Sequence, residues 1–154
     1  MGIKSHRGDV MSVYVDYVIL KQSYDESIRR LKALLDKKEE AFTRTLPSAI
    51  RYDLQRVMHS PSVISPLDEY VADVERIDQQ IREARLIVMD RKEILDLKEQ
   101  ELRKSKDTDD HIFMLKYIEH LTVERIAIRM HYSEGNIYYH LAKIKHQLRK
   151  NGYL

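Results

Sequence analysis

The most regular hydrophobic pattern in the chain repeats every seven residues between positions 67 and 104. A heptad of apolar residues predicts a long helix with a coiled-coil seam. We predict that this seam is an oligomerisation surface, formed by Leu67, Val74, Ile81, Val88 and Leu95. A long helix with one apolar face needs a partner in water. The pattern leaves two partners open, namely an earlier helix of the same chain or a second copy of the chain.

An earlier stretch, residues 13–44, has the spacing of an amphipathic helix. Its apolar stripe, at intervals of three, four and seven, consists of Tyr14, Tyr17, Tyr24, Ile28, Leu31, Leu35 and Phe42. All the prolines of the chain fall within residues 45–66, which predicts a connector between two helices. Residues 13–104 are therefore predicted to form a helical hairpin or a coiled-coil dimerisation region. The polar residues 1–12 are predicted to be a flexible tail.

Residues 109–154 have the pattern of a compact three-helix domain. The spacing predicts helices over about 109–119, 123–130 and 134–149. The expected N-caps of these helices are Thr108 or Asp109, then Thr122, then Ser133. On the third helix, the apolar residues that would face the core are Ile137, Leu141, Ile144 and Leu148. Tyr132, in the turn before it, is expected to anchor that turn in the core.

A short helix, a tight turn and a longer capped helix together make a helix-turn-helix. The predicted fold class is therefore all-α, with a long helical hairpin or coiled coil followed by a three-helix helix-turn-helix domain. The third helix has the size that the major groove of DNA accepts, and its polar face carries groups that can bind bases and phosphates. The predicted DNA-binding residues are Arg125, Arg129, Ser133, Glu134, Asn136, Tyr138, Tyr139, His140, Lys143 and Lys145.

The charge distribution supports a polyanionic partner for this domain. The net charge of the chain is +2, but residues 111–154 alone hold 7 Lys and Arg against 3 Asp and Glu. The absence of cysteine excludes disulfide scaffolds, cysteine zinc sites and thiol catalysis, and it fits the cytoplasm. Histidines lack the spacing of a metal motif, and only 4 glycines are present, so we expect no enzyme, no cofactor and no metal. The apolar runs are too short to predict a membrane span.

Two segments of this domain carry a resemblance to a known motif. Residues 121–127, Leu-Thr-Val-Glu-Arg-Ile-Ala, and residues 133–137, Ser-Glu-Gly-Asn-Ile, resemble the C-terminal helix-turn-helix of sigma factors. The layout of the whole chain resembles the phage ArpU/RinA-like family of late transcriptional regulators. The resemblance implies a phage-encoded, sequence-specific DNA-binding regulator. His131 stands where such turns usually have Gly, and Tyr138 and His140 stand where Arg is common, so the −35 promoter element itself is not the expected target.

Two alternatives to a regulator remain open from the sequence. One is a DNA-packaging protein similar to a small terminase subunit, although those usually place the DNA-binding part first. The other is an adaptor whose sigma-like domain binds RNA polymerase. The expected partners of the regulator are double-stranded DNA and a second copy of the chain in a homodimer, with no membrane.

Overall fold

The computed structural model describes the backbone of residues 12–56 and 66–154, and the side chains of residues 12–43 and 68–154. Throughout these ranges the regular structure is helical, and no strand occurs in them, so the all-α prediction is confirmed. In chain order the helices are α1 (Val13–Arg56), α2 (Pro66–Lys104), α3 (Thr108–Phe113), α4 (Val123–Met130) and α5 (Glu134–Lys150). A π-helical turn, Met114–Ile118, follows α3 directly.

The first part of the predicted connector at 45–66 is helical, because α1 continues to Arg56. Pro47 lies inside that helix and removes one backbone donor, which costs about 3 kcal/mol. The residues after it favour helix and carry no further proline up to residue 60. Pro66 begins α2, where a missing N–H has no helical partner to lose. The rest of the predicted connector, and the predicted flexible tail up to residue 11, lie outside the described residues.

The chain divides into two compact units. The first, here called the hairpin unit, is Tyr24–Arg91. The second, here called the terminal unit, is formed by Met1–Ser23 together with Lys92–Leu154. The terminal unit therefore contains more than the predicted DNA-binding domain at 109–154, because the beginning of α1 and the end of α2 belong to it as well.

In the hairpin unit, α1 and α2 pack against each other in antiparallel directions. The Nζ atom of Lys38 lies 2.6 Å from Oδ1 of Asp78, while Ser27 lines a groove together with Ala84. Residues further along α1 thus meet residues earlier on α2. The heptad seam of α2 lies in this contact, since its buried side chains are Tyr70, Ile77, Ile81 and Ala84.

Part of the predicted oligomerisation surface is buried within the single chain. Ile81 is 4% exposed and Leu95 is 5% exposed within a single chain, so neither is available to a second copy. Val74 and Val88 are half-buried, and the side chain of Leu67 lies outside the described residues. The physical reason is tethering, because a helix of the same chain is present at a much higher effective concentration than any second molecule.

The stripe predicted for α1 is covered only in part. Tyr14 is buried, and Tyr17, Tyr24 and Leu31 are half-buried. The other three members lie mostly outside the core, with Ile28 38%, Leu35 41% and Phe42 59% exposed. Instead, the small residue Ser27 is buried in the hairpin unit, and its hydroxyl donates to the Tyr24 carbonyl at 2.6 Å. The spacing allowed two neighbouring faces, and packing on α2 selected one of them.

The core of the terminal unit is built by all of its helices. Its completely buried side chains are Val15 on α1, Leu102 on α2, Ile112 on α3, Ile126 on α4, and Ile137 and Ile144 on α5. Phe113 lies among three tyrosine rings, with centroids 5.5 Å from Tyr14, 5.9 Å from Tyr17 and 4.9 Å from Tyr117. The start of α1 therefore completes the core beneath the helix-turn-helix.

Asp110 fastens the first turn of α1 to α3. Its Oδ1 accepts a hydrogen bond from the backbone N–H of Tyr14 at 3.2 Å, and its Oδ2 lies 2.6 Å from the hydroxyl oxygen of Ser105. The N–H groups of a first helical turn lack partners within the helix, and a carboxylate satisfies one of them. Burial raises the pKa of Asp110, although the hydrogen bonds from Ser105 and Tyr14 oppose this.

Candidate nucleic-acid interface

The caps of α4 and α5 position the candidate interface. The hydroxyl of Thr122 accepts from the N–H of Arg125 at 3.4 Å, and the hydroxyl of Ser133 accepts from the N–H of Asn136 at 3.2 Å. Both caps were predicted and are confirmed. For α3 the prediction is wrong, because Asp107 is the cap and its Oδ1 accepts from the N–H of Asp109 at 3.0 Å. Asp107 has the extended backbone that a cap requires, whereas Thr108 and Asp109 already lie in the helix.

The turn between α4 and α5 is closed at His131. This residue has φ 57° and ψ 40°, the left-handed conformation that glycine most often supplies at the end of a helix. The N–H of the next residue, Tyr132, donates to the carbonyl of Ala127 at 3.0 Å. Ala127 itself is buried, and its small side chain suits the close packing of α4 and α5.

The prediction that Tyr132 anchors the turn in the core is wrong. Its side chain is exposed, and its ring stacks on the imidazole of His140 with a centroid distance of 6.3 Å and an interplanar angle of 11°. The ring of Tyr139 meets the same imidazole edge-on at 5.6 Å. His140 is therefore enclosed by two aromatic rings on the outer surface of the helix-turn-helix.

The outer face of α5 is open. Tyr138 is 59% exposed and Tyr139 is 67% exposed, and the other exposed side chains of the helix include Glu134, Lys143, Lys145 and His146. The opposite face holds the predicted apolar stripe, which is buried throughout. One helix thus joins a core-facing apolar stripe to an exposed polar and aromatic face.

A buried carboxylate organises the middle of this face. Asp109 on α3 is 5% exposed. Its Oδ1 lies 2.6 Å from Nδ1 of His140, and its Oδ2 accepts from Nζ of Lys143 at 2.6 Å. Burial by itself raises the pKa of Asp109, but the hydrogen bonds and charges of Lys143 and His140 outweigh it and hold this pKa below its usual value. The hydrogen bond to Asp109 in turn raises the pKa of Lys143.

A second carboxylate holds one of the arginines of α4. Glu119 contacts Nη1 of Arg129 through Oε2 at 3.0 Å and Nη1 of Arg103 through Oε1 at 3.5 Å. Arg125, one turn earlier on α4, is exposed and makes no ion pair with the residues that the structure describes. Of the two arginines predicted to contact phosphates, Arg125 is therefore the one with an unshared charge.

The predicted DNA-binding residues lie on α4, on α5 and in the turn between them, and they differ in their exposure. The exposed ones are Arg125, Arg129, Ser133, Glu134, Tyr138, Tyr139, Lys143 and Lys145. Asn136 and His140 are half-buried, and the hydroxyl of Ser133 is used by the cap of α5. These positions limit direct contacts by Asn136, His140 and Ser133, whose side chains already have partners or cover.

Sequence reasoning missed the two acidic residues of this surface and one apolar residue. Asp109 and Glu119 lie far along the chain from the side chains that they bind, so no local spacing reveals the pairs. Asp109 was considered only as a possible N-cap of α3. Ile128, exposed on α4 beside Arg125 and Arg129, interrupts the charged surface.

Other kinds of site find no support in the described part of the chain. Its His, Asp and Glu residues form no group of three that could hold a metal ion. None of the helices in that part combines the length and the apolar character needed to cross a membrane.

Comparison of the chain with protein-family models, with characterised proteins and with solved structures finds no significant match. The candidate interface therefore has to be interpreted from its own geometry.

Proposed function

We propose that this chain is a sequence-specific DNA-binding transcriptional regulator. The observation that carries the proposal is the open face of α5, a capped helix that follows α4 through the left-handed turn at His131. In a helix-turn-helix the second helix enters the major groove and the first crosses the backbone. The sequence resemblance to ArpU/RinA-like regulators supports a phage-encoded protein acting in the cytoplasm of a bacterial host.

The exposed side chains divide into two roles in this proposal. Tyr138 and Tyr139, in the first half of α5, contact base edges or thymine methyl groups. Arg125 on α4 and Lys145 further along α5 contact phosphates, which fix the position of the protein on the duplex. With few unpaired cations on this surface, specificity depends more on hydrogen bonds and shape than on charge.

Salt-dependent binding to selected genomic fragments tests the proposal. The chain is used to enrich fragments of phage or host DNA, and the binding constant is then measured at several salt concentrations. The logarithm of the constant should fall linearly with the logarithm of salt, by about 0.9 for each neutralised phosphate. Binding that does not depend on salt, or does not discriminate the enriched sequence from random DNA, would contradict the proposal.

Paired variants locate the binding surface. Tyr139→Ala should lower the affinity for the enriched sequence by about tenfold, since a lost base contact costs about 1–3 kcal/mol. Lys145→Ala should weaken binding to all sequences alike, because it removes a phosphate contact. Lys37→Ala is the matched control, an exposed lysine in the hairpin unit. An equal loss in the control would place the binding surface elsewhere.

The adaptor alternative is supported by a specific observation. Ile128 is the most exposed large apolar side chain of the described residues, and it lies on α4 rather than on the open face of α5. An apolar side chain at that place suits a protein partner such as RNA polymerase better than a phosphate backbone. Capture of RNA polymerase in the absence of DNA, lost in Ile128→Ser and retained in Tyr139→Ala, would favour the adaptor.

A further inference from the structure

Three apolar residues of α1 form a row that the hairpin unit leaves uncovered. They are Ile28, Leu35 and Phe42, spaced by seven and each more than a third exposed. Residues seven apart on a helix differ by only about 20° in direction, so this row runs along one face. Scattered exposed apolar residues are ordinary, but a heptad row is the pattern of a helix that packs on another helix.

Two charges beside the row are arranged so that the row complements itself. Lys32 lies four residues after Ile28, and Glu39 lies four residues after Leu35, so both flank the row on the same side. Both side chains are exposed, and neither makes an ion pair with the described part of the chain. The row therefore has a positive side chain in its first half and a negative one in its second half.

These charges select the direction of a second helix on the row. If a two-fold axis passes beside Leu35, the second helix runs antiparallel and Lys32 faces Glu39 of the partner subunit, while Glu39 faces Lys32 of the partner subunit. Ile28 then packs on Phe42 of the partner subunit, and Leu35 packs on its own copy. In a parallel arrangement in register, each flank of the row would meet the opposite flank of the partner subunit, so Lys32 and Glu39 would not pair across the interface.

We propose that a second copy of this chain docks antiparallel on the row Ile28–Leu35–Phe42 and makes a two-fold symmetric dimer. Such an interface uses the same patch on both subunits, as most homodimers do. As the dimer interface, this row takes the place of the heptad seam of α2, because α1 of the same chain covers that seam. The inference rests on the proposed function in one respect, namely that the dimer would bring together two DNA-binding units. Its tests measure the molecular mass and the cross-linking of the protein in the absence of DNA.

Sedimentation equilibrium of the full chain over a range of concentrations is the first test. The wild type should show a monomer–dimer equilibrium. Leu35→Glu places two carboxylates beside the two-fold axis and should weaken the dimer by at least about tenfold. The control is Leu86→Glu, the same change at an exposed leucine on α2 in the same unit. A wild type that is monomeric throughout, a larger assembly, or an equal loss in the control would overturn the proposal.

Charge reversal tests the direction of the pairing. Lys32→Glu alone and Glu39→Lys alone each bring like charges together and should weaken the dimer by about tenfold. The double variant Lys32→Glu with Glu39→Lys restores opposite charges and should return the dimer to wild-type strength. A double variant as weak as the two single ones would overturn the antiparallel arrangement.

Cross-linking tests the position of the axis, and the chain suits it because it contains no cysteine. Leu35→Cys should form a disulfide-linked dimer under mild oxidation, since the two sulfur atoms would lie within disulfide reach across the axis. Ala33→Cys, an exposed residue directed away from the row, should not. Equal cross-linking of both variants would contradict the proposed interface. An intact dimer that fails to bind DNA would contradict the proposed function alone.

Discussion

At the scale of single residues, two adjacent aspartates show how one sequence pattern serves two purposes. Asp109 faces α5 and binds His140 and Lys143, whereas Asp110 faces α1 and accepts from the backbone of Tyr14. Both are buried, yet the pKa of Asp109 is lowered and that of Asp110 is raised. The difference follows from their partners, because only Asp109 has a lysine ammonium, that of Lys143, within hydrogen-bonding distance.

Asp109 restricts the charge that Lys143 can offer to DNA. In Asp109→Asn the ammonium of Lys143 loses its carboxylate partner and becomes available to a phosphate. The slope of log affinity against log salt should then steepen by about 0.9, the value for one additional phosphate contact. The double variant Asp109→Asn with Lys143→Met should return to the wild-type slope. An unchanged slope in the single variant would contradict this. It would mean either that Lys143 already contacts a phosphate in the wild type, or that it contacts none in either protein.

Asp110 should make stability depend on pH in a definite direction. Its pKa is raised by burial in the folded state, so the folded chain gains stability from its protonation at acid pH and loses that gain as pH rises through the folded pKa. Asp110→Asn keeps the acceptor for Tyr14 and has no such dependence. The free energy of unfolding of the variant should therefore rise relative to wild type between about pH 3 and pH 7. A difference that stays constant with pH, measured by urea unfolding, would contradict this.

At the scale of elements, caps and turn residues decide where α4 and α5 begin and end. The side-chain oxygens of Thr122 and Ser133 satisfy N–H groups in the first turns, and His131 supplies the left-handed residue between the helices. These are local interactions, and for that reason the sequence predicted them correctly. Asp107 was missed because Thr108 and Asp109 are also residues that cap helices well, and only the backbone conformation distinguishes them.

The cap of α5 should contribute measurably to stability. Ser133→Ala removes the acceptor for the N–H of Asn136 and should lower the free energy of unfolding by about 1 kcal/mol. Ser133→Asp retains an acceptor and places a negative charge at the helix N-terminus, so it should keep wild-type stability. Chemical unfolding of the full chain measures both. Equal stability of Ser133→Ala and wild type would show that water replaces the cap.

At the scale of the whole molecule, the terminal unit is built from two segments that are distant in sequence. The core of the terminal unit needs Tyr14 and Val15 from the start of α1 and Leu102 from the end of α2. The helix-turn-helix is therefore not an independent domain in this fold. Its stability depends on the two long helices as well as on its own packing.

A fragment restricted to residues 105–154 should reveal this dependence. It lacks Tyr14 and Tyr17, whose rings contact Phe113, so it should unfold at a lower temperature than the full chain or without a cooperative transition. Circular dichroism and calorimetry of the fragment and the full chain measure the difference. A fragment as stable as the full chain would show that the contacts of Tyr14, Val15 and Leu102 contribute little.

Patterns along the chain were enough to predict the helices, most of their bounds and the exposed face of α5. Helix periodicity and caps depend on residues close in the chain, so Thr122, Ser133 and the stripe from Ile137 to Leu148 could be predicted directly. Packing between distant segments fixed which face of α1 is buried, and it buried the heptad seam of α2 within the chain. It also brought Asp109 into contact with His140 and Lys143. Those choices depend on which distant surfaces meet, and the physical reason is that packing and ion pairing between remote residues leave no periodic mark in the sequence.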